Sequence, residues 1–537
     1  MTVLLPGRHF RRPLPGGNFP DMVSDGRRRV RIAVIGAGFG GIGTAIRLRQ
    51  HGEHDFVVFD RGDEVGGTWR DNSYPGCACD VPSHMYSLSF APNPDWTRSF
   101  SAQPEIWAYL RRCVDSFGVR PHLRLGHEVL AARWDSGSTS WLIDTSHGGY
   151  RAEVLVAAGG PLSEPAVPAL PGLADFTGEV FHSARWRHDL DLTGRTVAVV
   201  GTGASAVQFV PEIAPVVGRL HLFQRTAPWV MPRADRPISA GERRLFQRVP
   251  AARRLARAGV YWGREVAATA FLRPALMRAA EQVARRHLRR SVTDPVLRRR
   301  LTPGYRMGCK RVLLSNDYYP ALTRDNVEVV AGGVERVTPD GVVATDGTVR
   351  RVDTIIFGTG FHVTDVPIAG RITGRHGRTL AETWSGSMRA YQGTGVTGFP
   401  NLFLLLGPNT GLGHTSVVFM IECQITYLLG MLRHLGRSGI RAIEPTPQAQ
   451  DAFAARVDRR MAGTVWSRGG CRSWYLDATG RNSTLWPGYT WSYWLRTRRF
   501  DPEAYRPVPG PEPLPVSGAG IGAGAGRPEA TTSSEEH

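Results

Sequence analysis

Two glycine-rich turns, each set between an apolar strand and a helix, constrain this chain more than any other feature. The first is Gly36-Ala37-Gly38-Phe39-Gly40-Gly41, which satisfies G-x-G-x-x-G through Gly36, Gly38 and Gly41. The apolar run Val30 to Ile35 precedes it, residues 36 to 51 read as a turn into a helix, and Phe56 to Phe59 reads as the next strand. Gly36 permits the tight turn, Gly38 lets the backbone approach a pyrophosphate, and Gly41 lets helix and strand pack closely. The helix start then offers free N–H groups and a positive dipole end to phosphate. The second turn, Gly201-Thr202-Gly203-Ala204-Ser205-Ala206, follows a strand at Thr196 to Val200 and precedes a helix at Val207 to Ile213 and a strand at Leu220 to Phe223. Ala206 stands where the third glycine is usual, which the pattern tolerates. The two turns lie about 165 residues apart, too far for a solenoid repeat. The expected fold is therefore α/β, with two Rossmann-like dinucleotide-binding domains.

What ends the second strand of each unit separates the two sites. Asp60 closes the first; an acid there accepts a ribose hydroxyl and repels a 2′-phosphate, so this site suits FAD or NAD and disfavours NADPH. Arg225 and Thr226 close the second, where a cation and a hydroxyl match the 2′-phosphate of NADPH. One acid-ended and one cation-ended site in a single chain imply hydride passing from NADPH to a flavin. The apolar run 352 to 357, broken by Gly358-Thr359-Gly360-Phe361, suits a close backbone approach or an interdomain crossing.

With 537 residues the chain has room for two to four domains. The expected division is a flexible arm at 1–28, an FAD-binding domain from 29–164 and 385–507, an NADPH-binding domain at 165–384, and a disordered tail at 508–537 rich in Pro, Gly, Ala and Ser. Residues 238–300 are rich in Arg and Ala with apolar residues at helical spacing, and read as a helical insertion in the second domain. Its basic amphipathic character is expected to be that of a solvated lid, in preference to a membrane-touching face. The net charge of +19 comes almost entirely from Arg and is spread over helix-like segments, which favours a solvated surface over a dedicated nucleic-acid partner. No run of eighteen apolar residues predicts a membrane span, and no secretory leader is expected. The six cysteines form no redox or zinc spacing, so all six are expected reduced, in the cytoplasm, with no metal site.

Four further segments carry a family resemblance. Phe176-x-Gly178-x-x-x-His182-x-x-x-Trp186 matches the fingerprint of the type I Baeyer–Villiger monooxygenases, a branch of the class B flavoprotein monooxygenases. Gly66-Gly67-Thr68-Trp69, with Tyr74-Pro75-Gly76 and Asp80, matches that family's longer signature, and the run from Gly358 its linker motif. Lys310-Arg311, ahead of Asp317-Tyr318-Tyr319, resembles the segment with the family's active-site arginine. The resemblance covers residues 30 to 500; Arg187 departs from the Pro or Asp usual after the fingerprint Trp, which loosens the distinction from N- and S-oxygenating relatives.

The resemblance implies an NADPH-dependent enzyme that forms a peroxyflavin from O2 and inserts one oxygen atom beside a ketone carbonyl, giving an ester or lactone. N- or S-oxygenation is the alternative activity. A third alternative is a basic protein that binds anionic surfaces or nucleic acid and keeps a residual flavin. A plain hydride-transfer reductase is a further alternative, without its disulfide-reductase version, which the missing C-x-x-C removes. Arg311 becomes the candidate cation for the anionic oxygen, and Asp80 its orienting partner. Lys310 is expected at the 2′-phosphate beside Arg225, with a structural salt bridge as the rival reading. Gly67, Thr68 and Trp69 are expected at the flavin, with core filling the rival for Trp69. His182 and Trp186 are read as coupling the domains. The aromatic C-terminal part, from Trp466 to Trp494, reads as either a substrate cleft or packing.

Overall fold

Strand Arg28–Ile35 (β1) runs through four consecutive buried positions, Ile32, Ala33, Val34 and Ile35, because both faces of a parallel strand are covered. It is flanked on both sides by parallel neighbours, Phe56–Phe59 (β2) and Gly148–Ala157 (β6). A computed structural model describes residues 26–509; most of the expected arm and tail lie outside the described residues. Arg28 already belongs to β1, and the Val508 N–H donates to the Ala442 carbonyl at 2.9 Å. Charged residues at the start of β1 join through the backbone ladder with β6, which hydropathy does not register.

The first sheet has eight strands. Besides β1, β2 and β6 it holds Leu123–Arg124 (β3), Val129–Asp135 (β4) and Ser140–Thr145 (β5), in the order β4-β5-β6-β1-β2-β3. Strand Ile372–Thr373 adds beside β4 and strand Leu402–Leu404 beside β6. The chain is thus back in the first sheet by Ile372, ahead of the boundary expected at 385. The second sheet is parallel throughout: Glu179–His182 (β7), Thr196–Val200 (β8) and Arg219–Gln224 (β9), with the later strands Val327–Ala331 and Thr354–Phe357.

Helix Phe39–Gln50 (α1) leaves the first turn, followed by the short Thr68–Asp71 (α2) and by Gln103–Ser116 (α3). Ala204–Ile213 (α4) leaves the second turn and begins three residues earlier than apolarity alone suggests, directly after its N-cap Gly203. The insertion consists of Ala240–Arg248 (α5), Pro250–Leu272 (α6), Met277–Ser291 (α7) and Pro295–Arg300 (α8). Ser239 caps α5 with a reciprocal bond from Glu242. One face of α6 docks on the first domain's carboxyl part: Glu265 accepts from the Thr490 N–H at 3.0 Å, and Tyr261 bonds the Thr490 hydroxyl at 3.1 Å.

The expectation that all six cysteines are reduced is overturned. Cys309 and Cys471 form a disulfide, with a sulfur–sulfur distance of 2.06 Å, while Cys77, Cys79, Cys113 and Cys423 are free and buried. The pair is 162 residues apart in sequence, and tertiary packing alone brings it together. Spacing rules detect only cysteines that are neighbours along the chain.

Candidate active site

The first turn is shaped by backbone contacts that leave no room for side chains. Gly36 has φ +100°, and a Cβ there would lie 2.7 Å from the Ala158 carbonyl oxygen. A Cβ on Gly41 would lie 1.8 Å from the Gly36 carbonyl oxygen. Gly38 is different: its nearest neighbour would be the Gly67 Cα at 3.7 Å, and a Cβ on Gly67 would face the Gly38 Cα at 3.1 Å. Two glycines from separate turns therefore oppose each other at the N-terminus of α1, where there is no acid in the first turn and no side-chain cap. Such an uncapped helix start with open space before it would admit a pyrophosphate. Thr68 opens α2 directly behind it.

Asp60 is pinned into this turn. Its Oδ2 accepts from the Ala37 N–H at 2.7 Å, and its Oδ1 accepts from the Gly62 N–H at 2.9 Å and from Arg70 at 2.7 Å. A carboxylate oxygen holds two lone pairs, so Oδ2 keeps one for a ribose hydroxyl. The residues present fit a flavin dinucleotide. Trp69 is buried; its indole N–H donates to the Tyr86 hydroxyl at 3.0 Å and its carbonyl accepts from Gln103.

The second turn repeats the design with one exchange. Gly201 has φ +110°, and a Cβ there would lie 2.6 Å from the Gly358 carbonyl oxygen. Ala206 is accommodated because its opposite number is Gly358, whose own Cβ would come within 3.3 Å of it. The Gly358–Phe361 run therefore crosses the mouth of this turn. The first domain has the same crossing at Ala158, a signal present in the sequence as Ala157-Ala158-Gly159-Gly160 but not singled out there. Among the described residues neither Arg225 nor Lys310 pairs with a carboxylate. The Lys310 ammonium, the only lysine in the chain, lies 5.3 Å from the centre of the Tyr305 ring, and burial together with the Arg225 charge lowers its pKa. Two neighbouring cations with no acid between them favour a bound phosphate. Thr226 contributes its carbonyl, which accepts from Thr202 at 3.1 Å.

Arg311 and Asp80, 231 residues apart in sequence, form a two-point ion pair. The Arg311 Nε donates to Oδ2 at 2.7 Å and Nη2 to Oδ1 at 2.8 Å. Their side chains are 28% and 26% exposed, so the pair is open on one side. Nη1 reaches the Leu412 carbonyl at 3.4 Å, and the charge of Asp80 raises the Arg311 pKa further. The sequence reading missed three neighbours. Burial raises the Tyr475 hydroxyl to about 12, with Arg311 opposing that rise; Arg233 donates to the Cys79 carbonyl at 3.2 Å; and Arg264 of α6 senses both Asp80 and Arg311. The disulfide at Cys309 anchors the segment immediately before Lys310 and Arg311 to the chain around Cys471.

The Tyr74–Gly76 signature is an interdomain clasp. The Tyr74 hydroxyl donates to Gln208 of α4 at 2.9 Å, and Gln208 donates to the Ala78 carbonyl at 2.9 Å. Ser205, from the second turn, lies within hydrogen-bonding reach of the same tyrosine. Trp186 packs between Phe181 and Phe209, at ring-centre distances of 5.2 and 5.3 Å. Arg187, the departure from the family pattern, pairs at the surface with Asp189 and Glu179. Of the C-terminal aromatics, Trp466, Tyr475, Trp486 and Tyr493 are buried, whereas Trp474 and Trp491 are exposed.

His182 is buried, its Nδ1 accepting from the Ala184 N–H at 3.1 Å and its ring meeting Phe361 at 5.7 Å. Desolvation pushes its pKa down from 6.5 to about 4. The folded state thus binds a proton less readily than the unfolded state, and stability rises with pH between those two values. His182→Asn keeps an acceptor for Ala184 without a titrating ring. Urea unfolding is expected to show wild type losing up to about 3 kcal/mol more than this variant between pH 7 and pH 4.

A family model described as flavin-binding monooxygenase-like matches residues 29–241. A Baeyer–Villiger monooxygenase of Streptomyces coelicolor is 56% identical over 486 residues, spanning 89% of this chain and 93% of that protein. One from Pseudomonas aeruginosa is 49% identical over 481 residues, spanning 89% and 91%. The crystal structure of cyclohexanone monooxygenase from Rhodococcus sp. Phi1, bound to NADP+, superposes with a TM-score of 0.79 at 30% identity, covering 90% of this chain and 99% of that one. With both nucleotide turns and the Asp80–Arg311 pair already in place, these likenesses put the chain in the Baeyer–Villiger monooxygenase family.

Proposed function

We propose that this protein converts a ketone, NADPH, a proton and O2 into an ester or lactone, NADP+ and water, with FAD in the first nucleotide site and NADPH in the second. Bound FAD supplies the two-electron chemistry that accepts hydride and activates oxygen. The chain's own residues do the rest. Gly38 and Gly67 admit the pyrophosphate and Asp60 orients the ribose. Arg225 and Lys310 hold the 2′-phosphate of NADPH, and the disulfide beside Lys310 keeps that segment in place. Supply of NADPH puts the reaction in the cytoplasm.

The observation that carries this reading is the Asp80–Arg311 pair. Two of the arginine's nitrogens are committed to the carboxylate, which fixes the plane of the guanidinium, and Nη1 makes a long bond to the Leu412 carbonyl. A fixed, permanent cation stabilises an anionic oxygen without reorganising during the reaction. The test is a purified, yellow holoenzyme supplied with NADPH, O2 and a panel of cyclic and linear ketones, amines and thioethers. Esters or lactones identified by mass are expected; oxygenated amines or thioethers with no ester from any ketone would sink the reading.

Coenzyme choice gives an independent check. Replacing Arg225 and Lys310 together (Arg225→Leu, Lys310→Met) is expected to raise KM for NADPH roughly ten- to hundred-fold, the scale of losing two charge-assisted bonds. KM for NADH should hardly move, since NADH carries no 2′-phosphate. Steady-state kinetics with both coenzymes reads the difference.

A further inference from the structure

The insertion carries a charge that the reaction does not use. Between residues 240 and 300 there are sixteen arginines, no lysine and four acids. All four acids are committed: Glu242 to Arg236, Glu281 to Arg306, Glu265 to Thr490, and Asp294 to the cap of α8. Exposed arginines such as Arg244, Arg248 and Arg254 are left without a counter-charge among the described residues.

Helix α6 adds a second, independent feature. Its inner face is spoken for: Arg257 donates to the His84 and Ser87 carbonyls, Tyr261 and Glu265 hold Thr490, and Phe271 stacks on Trp466. Its outer face is apolar and bare. Leu255 is 75% exposed, Trp262 57% and Val266 72%. Their spacing of seven and four residues puts all three on one helical stripe, opposite the docked face. On neighbouring α5 and its C-cap, exposed Leu245 and Val249 alternate with Arg244 and Arg248.

We propose that the outer face of α6, with the adjoining end of α5, docks on an anionic lipid bilayer. Large apolar side chains set among uncompensated arginines match both layers of such a surface: the cations meet lipid phosphates, and Trp262, Leu255 and Val266 enter the acyl boundary. Nucleic acid would satisfy the arginines but leave the apolar stripe in water. A second copy of the chain would cover the stripe but bring two like-charged faces together. The membrane-touching character set aside in favour of a solvated lid is therefore restored by the exposure of this stripe. Docking is peripheral, since no helix among the described residues is long and apolar enough to cross a membrane.

The test is co-sedimentation of the holoenzyme with vesicles of phosphatidylcholine alone and of phosphatidylcholine mixed with phosphatidylglycerol. Binding is expected to the anionic vesicles only, and to weaken roughly ten-fold or more in about 1 M salt, where the Debye length is ~3 Å. The triple variant Leu255→Ser, Trp262→Ser, Val266→Ser is expected to weaken it at least roughly ten-fold, with turnover in solution unchanged. Arg244→Gln, Arg248→Gln, Arg254→Gln should weaken it roughly a hundred-fold, about five-fold per charge. The proposal is overturned by no vesicle binding at low salt, or by binding that the apolar variant leaves intact, which is general polycation behaviour. It is equally overturned by tighter binding to duplex DNA than to vesicles. Self-association without lipid that the apolar variant abolishes assigns the face to a second copy instead.

Discussion

Arg311→Met is expected to cut ester formation by ~10²–10³-fold while NADPH still reduces the flavin, a loss on the scale of removing one preorganised donor from a developing oxyanion. The separation of the two half-reactions follows from where the residue sits. Arg311 pairs with Asp80 of the first domain, whereas the cations at the second turn are Arg225 and Lys310. Stopped-flow reduction under anaerobic conditions should therefore be near normal, and product formation in air should fail. Arg311→Lys is expected to recover little: an ammonium cannot make the two parallel bonds at 2.7 and 2.8 Å that hold the guanidinium on Asp80. Asp80→Asn should be milder, since the cation remains and only its orientation loosens. Equal loss of reduction and oxygenation in Arg311→Met would show instead that the residue holds the domains together.

Gly41→Ala and Gly38→Ala are expected to fail in different ways although they sit in one turn. An added Cβ on Gly41 meets the Gly36 carbonyl oxygen at 1.8 Å, and Gly36 is itself wedged against Ala158. The backbone must shift, at roughly 3 kcal/mol or more, so this variant should be poorly folded with a sharply lowered Tm. The same methyl on Gly38 meets nothing of the protein closer than 3.7 Å, so the chain should fold with a near-normal Tm. It should nevertheless purify colourless, because the methyl fills the space that opposes Gly67. Flavin absorbance per protein, set beside thermal unfolding, distinguishes the two. A yellow Gly38→Ala protein would remove the pyrophosphate from this cradle.

Much of the architecture was legible because it is local. Strands β2 and β8 fall where the apolar runs lie, and α1 and α4 start at their glycine turns, since hydropathic period and turn chemistry act over a few residues. Asp60 and Arg225 were found through their fixed offset from those turns. Arg311 and Asp80 were found differently, through resemblance; nothing local in either segment announces an ion pair.

By itself the sequence determined two glycine-turn units and the acid or cation that ends the second strand of each. Tertiary structure alone decided that Asp80 meets Arg311 across 231 residues, that Cys309 bonds Cys471, and that Tyr74 clasps Gln208. It also decided which face of α6 is left bare. The physical reason is range. Backbone propensity and apolar period are properties of neighbours along the chain, whereas ion pairs, disulfides and exposed faces depend on which distant segments packing brings together.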